Sequence, residues 1–184
     1  MNPLMTPHSA PKRRLWLAAL VATVSLGSLS AWGLSQRPLK LSELVGRSEL
    51  IVEALVTDQR VVERQGPHRR PWIYTLSELE VRSCWRAPSK GCPSRVTVSQ
   101  IGGTLPQAGD EGAPLTLTVP GIPVLKQGDE AAFFLRAKSD AAEGEMSYVI
   151  VGGAQGRQAR ADEASYQQLK SLVQQLSQAL KTRP

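Results

Sequence analysis

Histidine is almost missing from this 184-residue chain: only His8 and His68 occur. That excludes the histidine-rich zinc sets of metalloproteases and leaves few general-base candidates. Cysteine is nearly as scarce, with Cys84 and Cys92 alone. Their spacing is not CxxC, so a thioredoxin-type redox motif is excluded, and no histidine lies nearby to complete a zinc site. Phenylalanine occurs only as Phe133 and Phe134. Charge of one sign is missing too, once the amino terminus is set aside. Residues 1–40 hold Lys12, Arg13, Arg14, Arg37 and Lys40 and no acid, whereas residues 41–184 carry 17 basic against 16 acidic side chains. The pI of 9.7 therefore belongs to the leader, and the body has no basic footprint for nucleic acid.

Only one long apolar run is present. Residues 12–34, KRRLWLAALVATVSLGSLSAWGL, place a basic cluster before an apolar core from Leu15 to Leu26, followed by small residues. This is the layout of a secretory leader. Leu15 to Leu34 is also long enough to span a bilayer at about 1.5 Å per residue, so residues 1–34 read as a signal peptide or an uncleaved membrane anchor. No cysteine follows the core, which excludes a lipoprotein anchor. Residues 35–40 read as a linker and 41–184 as one domain, exported to the periplasm or exterior or tethered outside the cytoplasm. Membrane contact is expected only through the leader. In that compartment Cys84 and Cys92 are expected to form a disulfide across WRAPSKG, a loop with a proline and a glycine.

The body alternates as short strands do. Leu39 to Arg47 predicts a short helix with Ser42 as its cap. Residues 50–63 predict a long strand with Ile51, Val52, Ala54 and Val56 in the core. Trp72 to Trp85 predicts a second strand, and the parity change between Tyr74/Leu76 and Leu79/Val81 predicts a bulge at Ser77-Glu78. Arg95 to Ile101 places Val96, Val98 and Gln100 on one face. Residues 102–114 read as a long exposed Gly/Pro loop, 115–119 as a short strand and PGIPV as a turn. GDEAAFFLR, Gly128 to Arg136, has the uninterrupted apolar form of a central strand buried on both faces. Met146 to Val151 predicts another strand, and Gly156 to Ala161 an edge strand. Asp162 to Lys181 predicts a helix capped by Asp162, with Leu169, Leu172, Val173, Leu176 and Leu180 as its packing stripe. The sum is an α+β fold. We expect a mostly antiparallel, partly closed OB-like β-barrel of five to six strands, with a short N-terminal helix and a C-terminal amphipathic helix.

The order SELIVEALV, YTLSELEV, VTVSQIGG, VPGIPVLKQGDEAAFFLR and YVIVGGAQGR resembles a group of exported bacterial domains, some of which accompany a matrixin-type metalloprotease domain. The resemblance covers about residues 45–160 and is best over Gly121 to Arg136. More loosely, the chain is similar to netrin-like modules, the barrel type of tissue inhibitors of metalloproteases. That resemblance implies an OB-type barrel flanked by helices. It carries over no site residues, because those inhibitors chelate zinc through an amino-terminal cysteine that this chain lacks, and no matrixin zinc motif is present.

The candidate chemistry is sparse. His68, in GPHRRP, is the one position for a general base, and a triad would need an acid and a nucleophile beside it. GGAQGR follows a strand but lacks the Lys-Ser/Thr of a P-loop, so it reads as a turn. Asp110-Glu111, Asp129-Glu130 and Asp140/Glu143/Glu145 lack the ligand order of an EF-hand. No metal and no cofactor is expected. The function read from the sequence is a non-catalytic exported domain that binds a protein or other envelope partner through loops 64–72 and 102–114. The alternatives are a hydrolase with His68 as base, or a regulator of an extracellular metalloprotease.

Overall fold

A computed structural model describes residues 37–65, 71–89, 91–106, 113–138 and 147–182. They belong to one compact unit, Leu34–Pro184. The leader, residues 1–34, lies outside the described residues.

Among the described residues two helices frame eight strands: α1 (Leu41–Arg47), β1 (Leu50–Gln65), β2 (Pro71–Arg86), β3 (Arg95–Ile101), β4 (Gly103–Leu105), β5 (Leu115–Leu117), β6 (Glu130–Ala137), β7 (Ser147–Ile150), β8 (Arg157–Ala159) and α2 (Glu163–Lys181). The class is α+β, as the pattern of elements predicts. In the main sheet the strand order is β1-β2-β3-β7-β6-β8, and β6 also pairs with β1. All of these pairings are antiparallel except β3 with β7, which meet over Thr97↔Ser147 and Val98↔Tyr148.

Strand β6 is the centre of the molecule. Because successive side chains point to opposite faces, Ala131, Phe133 and Leu135 enter one core with Leu50, Val52, Ala54, Val56, Leu79, Val96 and Val98. Ala132 and Phe134 enter a second core with Leu44, Val45, Ile51, Trp85, Tyr166 and Val173, which lies beneath the two helices. The uninterrupted apolar run follows from this double burial.

The expected bulge in β2 is displaced. Parity holds through Ser77, which is fully buried and accepts a hydrogen bond from Gln59 Nε2 at 2.9 Å. The extra residues are Arg82 and Trp85 on β2 and Thr57 on β1, where Val56 faces Leu79 and Asp58 faces Glu78. A polar residue facing the core hid the correct parity from the hydrophobic pattern. The bulges bring Cys84 against the first core and turn Trp85 into the second.

The stretch 102–114 is not wholly loop. Gly103–Leu105 pairs antiparallel with Leu115–Leu117 as a small separate ribbon. Gly103 (φ 132°) permits its close approach to β2, since a Cβ there would lie 2.5 Å from Thr75 Oγ1. Beyond the ribbon, Gln100 Oε1 accepts from the Leu125 N–H (3.0 Å), Gln100 Nε2 donates to Pro123 O (3.2 Å) and Gln59 Nε2 donates to Leu125 O (2.6 Å). Two buried or half-buried amides thus act as strand partners for an irregular segment and press Leu125 into the core.

GGAQGR forms a 3-10 turn, Gly153–Gly156, between β7 and β8, the turn expected from the sequence. Gln155 in that turn accepts from the Leu39 N–H (2.6 Å) and donates to Arg37 O (3.2 Å), which fixes where the chain enters the domain. Gly156 sits so tightly that a Cβ would meet Val151 O at 2.1 Å. Gly156→Ala is accordingly expected to cost about 1–3 kcal/mol through overpacking. An unchanged thermal midpoint would show that the turn relaxes freely.

Candidate functional site

Helix α1 starts with Lys40 as its flanking residue, not through Ser42. Glu43 reaches back to accept from the Lys40 N–H (2.9 Å), and that bond holds its carboxyl below the usual range. At the other end Ser48 Oγ donates to Leu44 O (2.6 Å), and Arg86 on β2 donates from Nη1 to Val45 O. The last carbonyls of α1 are therefore satisfied by a serine and by β2.

Helix α2 begins at Asp162, whose Oδ1 accepts from the Ser165 N–H (2.8 Å), as expected of a cap. That bond lowers the Asp162 pKa. Glu163 is lowered by its hydrogen bonds with Gln167 and Arg160. Arg160 also reaches Glu53 on β1 (3.5 Å) and Glu130 on β6 (3.7 Å), and lies over the Tyr166 ring at 5.5 Å. One guanidinium thereby ties the start of α2 to the two central strands.

Carboxylates with depressed folded pKa values stabilise the fold above their unfolded values and lose that contribution as pH falls through the folded ones. Docking of α2 should therefore weaken as pH falls from about 5 toward 3. Asp162→Asn, which keeps a capping side chain without the charge, should flatten that slope. Near-ultraviolet dichroism of Trp85 and Tyr166 reads the docking, and identical pH profiles would refute the assignment.

The buried face of α2 is rotated from the leucine stripe. Tyr166, Val173 and Ser177 are buried, Leu169 and Leu176 partly so, while Leu172 is 42% exposed. At 100° per residue the buried centre lies roughly 60° from the centre of the stripe. Lys170 lies close enough to β2 for Nζ to donate to Ser83 Oγ (3.2 Å). The helix rotates toward β2 because the Trp85 and Tyr166 rings meet edge to face, centroids 5.2 Å apart.

Where α2 passes the end of β2, the two elements leave a groove of about 510 Å³. One wall is Cys84 to Pro88 and the other is Gln174, Ser177, Gln178 and Lys181. Cys84 is joined to Cys92 in a disulfide with Cα atoms 6.2 Å apart, the pairing expected from the sequence. It fits an oxidising, extracytoplasmic compartment. The staple holds the first wall, and the rotated helix supplies the second.

Two residues that line the groove, Trp85 and Ser177, are each only 5% exposed and carry a buried polar atom without a partner, Trp85 Nε1 and Ser177 Oγ. Leaving such a group unpaired costs about 1–3 kcal/mol, so a partner from outside the chain is expected to be favourable. The Tyr166 hydroxyl is also buried and unpartnered. Burial, with Glu53 adding to it, raises its pKa well above the usual phenol value, so it stays neutral.

His68, Arg69 and Arg70 lie outside the described residues, as do Asp110-Glu111 and Asp140/Glu143/Glu145. Asp129 pairs with Arg157 (3.0 Å) and Glu130 with Arg160. Among the described residues no cluster of histidine, cysteine or carboxylate could hold a metal ion, and no helix is long and apolar enough to cross a membrane. The groove itself was missed by sequence reasoning. Its only signal was Trp85 beside Cys84, since Ser177 and the glutamines of α2 read as solvated.

No protein-family model matches the chain, and no curated protein matches it significantly.

Proposed function

We propose that the chain is an exported, non-catalytic binding module whose partner engages the groove between the stapled end of β2 and α2. The observation that carries this is a groove lined by Trp85 and Ser177, two residues whose buried polar atoms, Nε1 and Oγ, have no partner within the chain. A volume of about 510 Å³ lies within the range of ligand sites. The disulfide supports export. The scaffold reads as a partly closed OB-like barrel. In support, β1, β2, β3, β7 and β6 pair in sequence and β6 pairs back to β1, while the short parallel contact of β3 with β7 leaves that seam loosely closed.

The test is hydrogen-exchange footprinting of the full chain with and without exported components of its source cells. Protection concentrated at residues 84–88 and 174–181 is the expected result. Protection confined to loops 64–72 or 102–114 would move the partner surface to those loops. Turnover of a component would overturn the non-catalytic reading.

A further inference from the structure

We infer that the groove beside the disulfide takes an anionic group, a carboxylate or a phosphate at the end of a larger ligand; this rests on reading the groove as a binding surface. Six side chains set its chemistry: Trp85, Arg86, Gln174, Ser177, Gln178 and Lys181. Every one of them can donate a hydrogen bond. Two are cations and none is a carboxylate, although the body as a whole carries nearly equal numbers of acids and bases.

The buried atoms narrow the ligand further. An indole N–H can only donate, so the unpartnered Trp85 Nε1 has use for an acceptor and none for a cation. Ser177 Oγ, also unpartnered, can donate as well. Arg86 is held in place by its bond from Nη1 to Val45 O, and a guanidinium has five N–H donors, so one backbone contact does not exhaust it. Charge-assisted bonds from such a set to a carboxylate or phosphate are the strong kind.

One feature opposes an anion, the negative end of the α2 dipole. Thr182 offsets it. Its N–H donates to Gln178 O (3.2 Å) and its Oγ1 donates to Ala179 O (3.1 Å). Lys181 in the last turn adds a full positive charge. Donors and cations therefore outweigh the exposed carbonyls. Cys84, Ala87 and Pro88 offer apolar surface for an uncharged portion of the ligand next to its anionic end.

The experiment follows the Trp85 indole N–H by NMR in the full chain, assigned with Trp85→Phe, during titration with sodium acetate, sodium phosphate or neutral acetamide. Sodium chloride keeps the ionic strength constant. A saturable shift at millimolar anion, absent with acetamide, is expected. Lys181→Gln and Ser177→Ala should each weaken it about tenfold, as loss of one charge-assisted or buried bond does. Lys181 is exposed at the end of α2, outside both hydrophobic cores, so Lys181→Gln keeps the test readable if Trp85→Phe does not fold. The anion that saturates first tells a carboxylate source from a phosphate one. No saturable shift, an equal shift with acetamide, or undiminished binding in both variants would overturn the inference. Footprint protection at the groove without anion binding would remove only the anion and leave the partner reading intact. Anion binding without any footprint would do the reverse.

Discussion

Phe133→Ala is expected to lower stability by about 3–5 kcal/mol, the usual cost of emptying a fully buried phenylalanine site. Phe134→Ala should cost a similar amount although it faces the other way. Both rings are completely buried. Phe133 packs with Val52, Leu79 and Val98 inside the sheet, and Phe134 with Val45, Ile51 and Val173 beneath the helices. The two substitutions should differ in what they loosen. Loss of Phe134 should free α2 and reduce the near-ultraviolet signal of Trp85 and Tyr166 before global unfolding, whereas loss of Phe133 should lower the urea midpoint without a separate phase. Domains of this size have only about 5–15 kcal/mol to lose. A cost below about 1 kcal/mol for either change would mean that β6 is not the shared strand of two cores.

Replacing both cysteines by serine is expected to cost about 2–3 kcal/mol, because the bond closes a short loop in the unfolded chain. The separation is 8 residues, so the effect sits at the low end for disulfides. The native consequence is more local than the energy. Cys84 is a wall of the groove and adjoins Trp85, whose ring packs against Tyr166. Reduction should therefore widen the groove and weaken anion binding at denaturant concentrations where the sheet is still folded. Urea unfolding with and without reductant gives the first quantity, and the Trp85 titration under reduction gives the second. Equal midpoints would show that the staple does not restrain the unfolded chain, and equal affinity would detach it from the groove.

Much of the fold was legible because it depends on local chemistry. The residues of GDEAAFFLR already say that this strand has no polar face. The strand patterns at 50–63, 72–85 and 95–101 mark the sheet, with the ends displaced by a residue or two where β1 and β2 run on into their hairpin. Asp162 announced the start of α2, and an even pair of cysteines behind a leader-like segment announced the disulfide. Each of these signals is carried by a few neighbouring side chains.

The misreadings share a cause. Ser77 faces the core, yet it looked like a break in the pattern because its partner, Gln59, lies on another strand. Leu115–Leu117 was legible as a strand, but its partner Gly103–Leu105 looked like loop because a three-residue strand that opens on glycine has little hydrophobic pattern of its own. Leu172 belongs to the apolar stripe of α2 and is left exposed, since the rotation of a helix is decided by what it packs on.

By itself, then, the sequence determined the α+β class, the double burial of β6, the cap of α2 and the cysteine pair. It could do so because periodicity, capping and cysteine count act over a few residues or over the whole composition. Only the tertiary structure decided where the bulges fall, which face of α2 meets the sheet, and that Trp85 and Ser177 share one groove. Those depend on residues 92 positions apart being brought together, and on their polar atoms finding no partner there. Neither property is written in any local stretch of the chain.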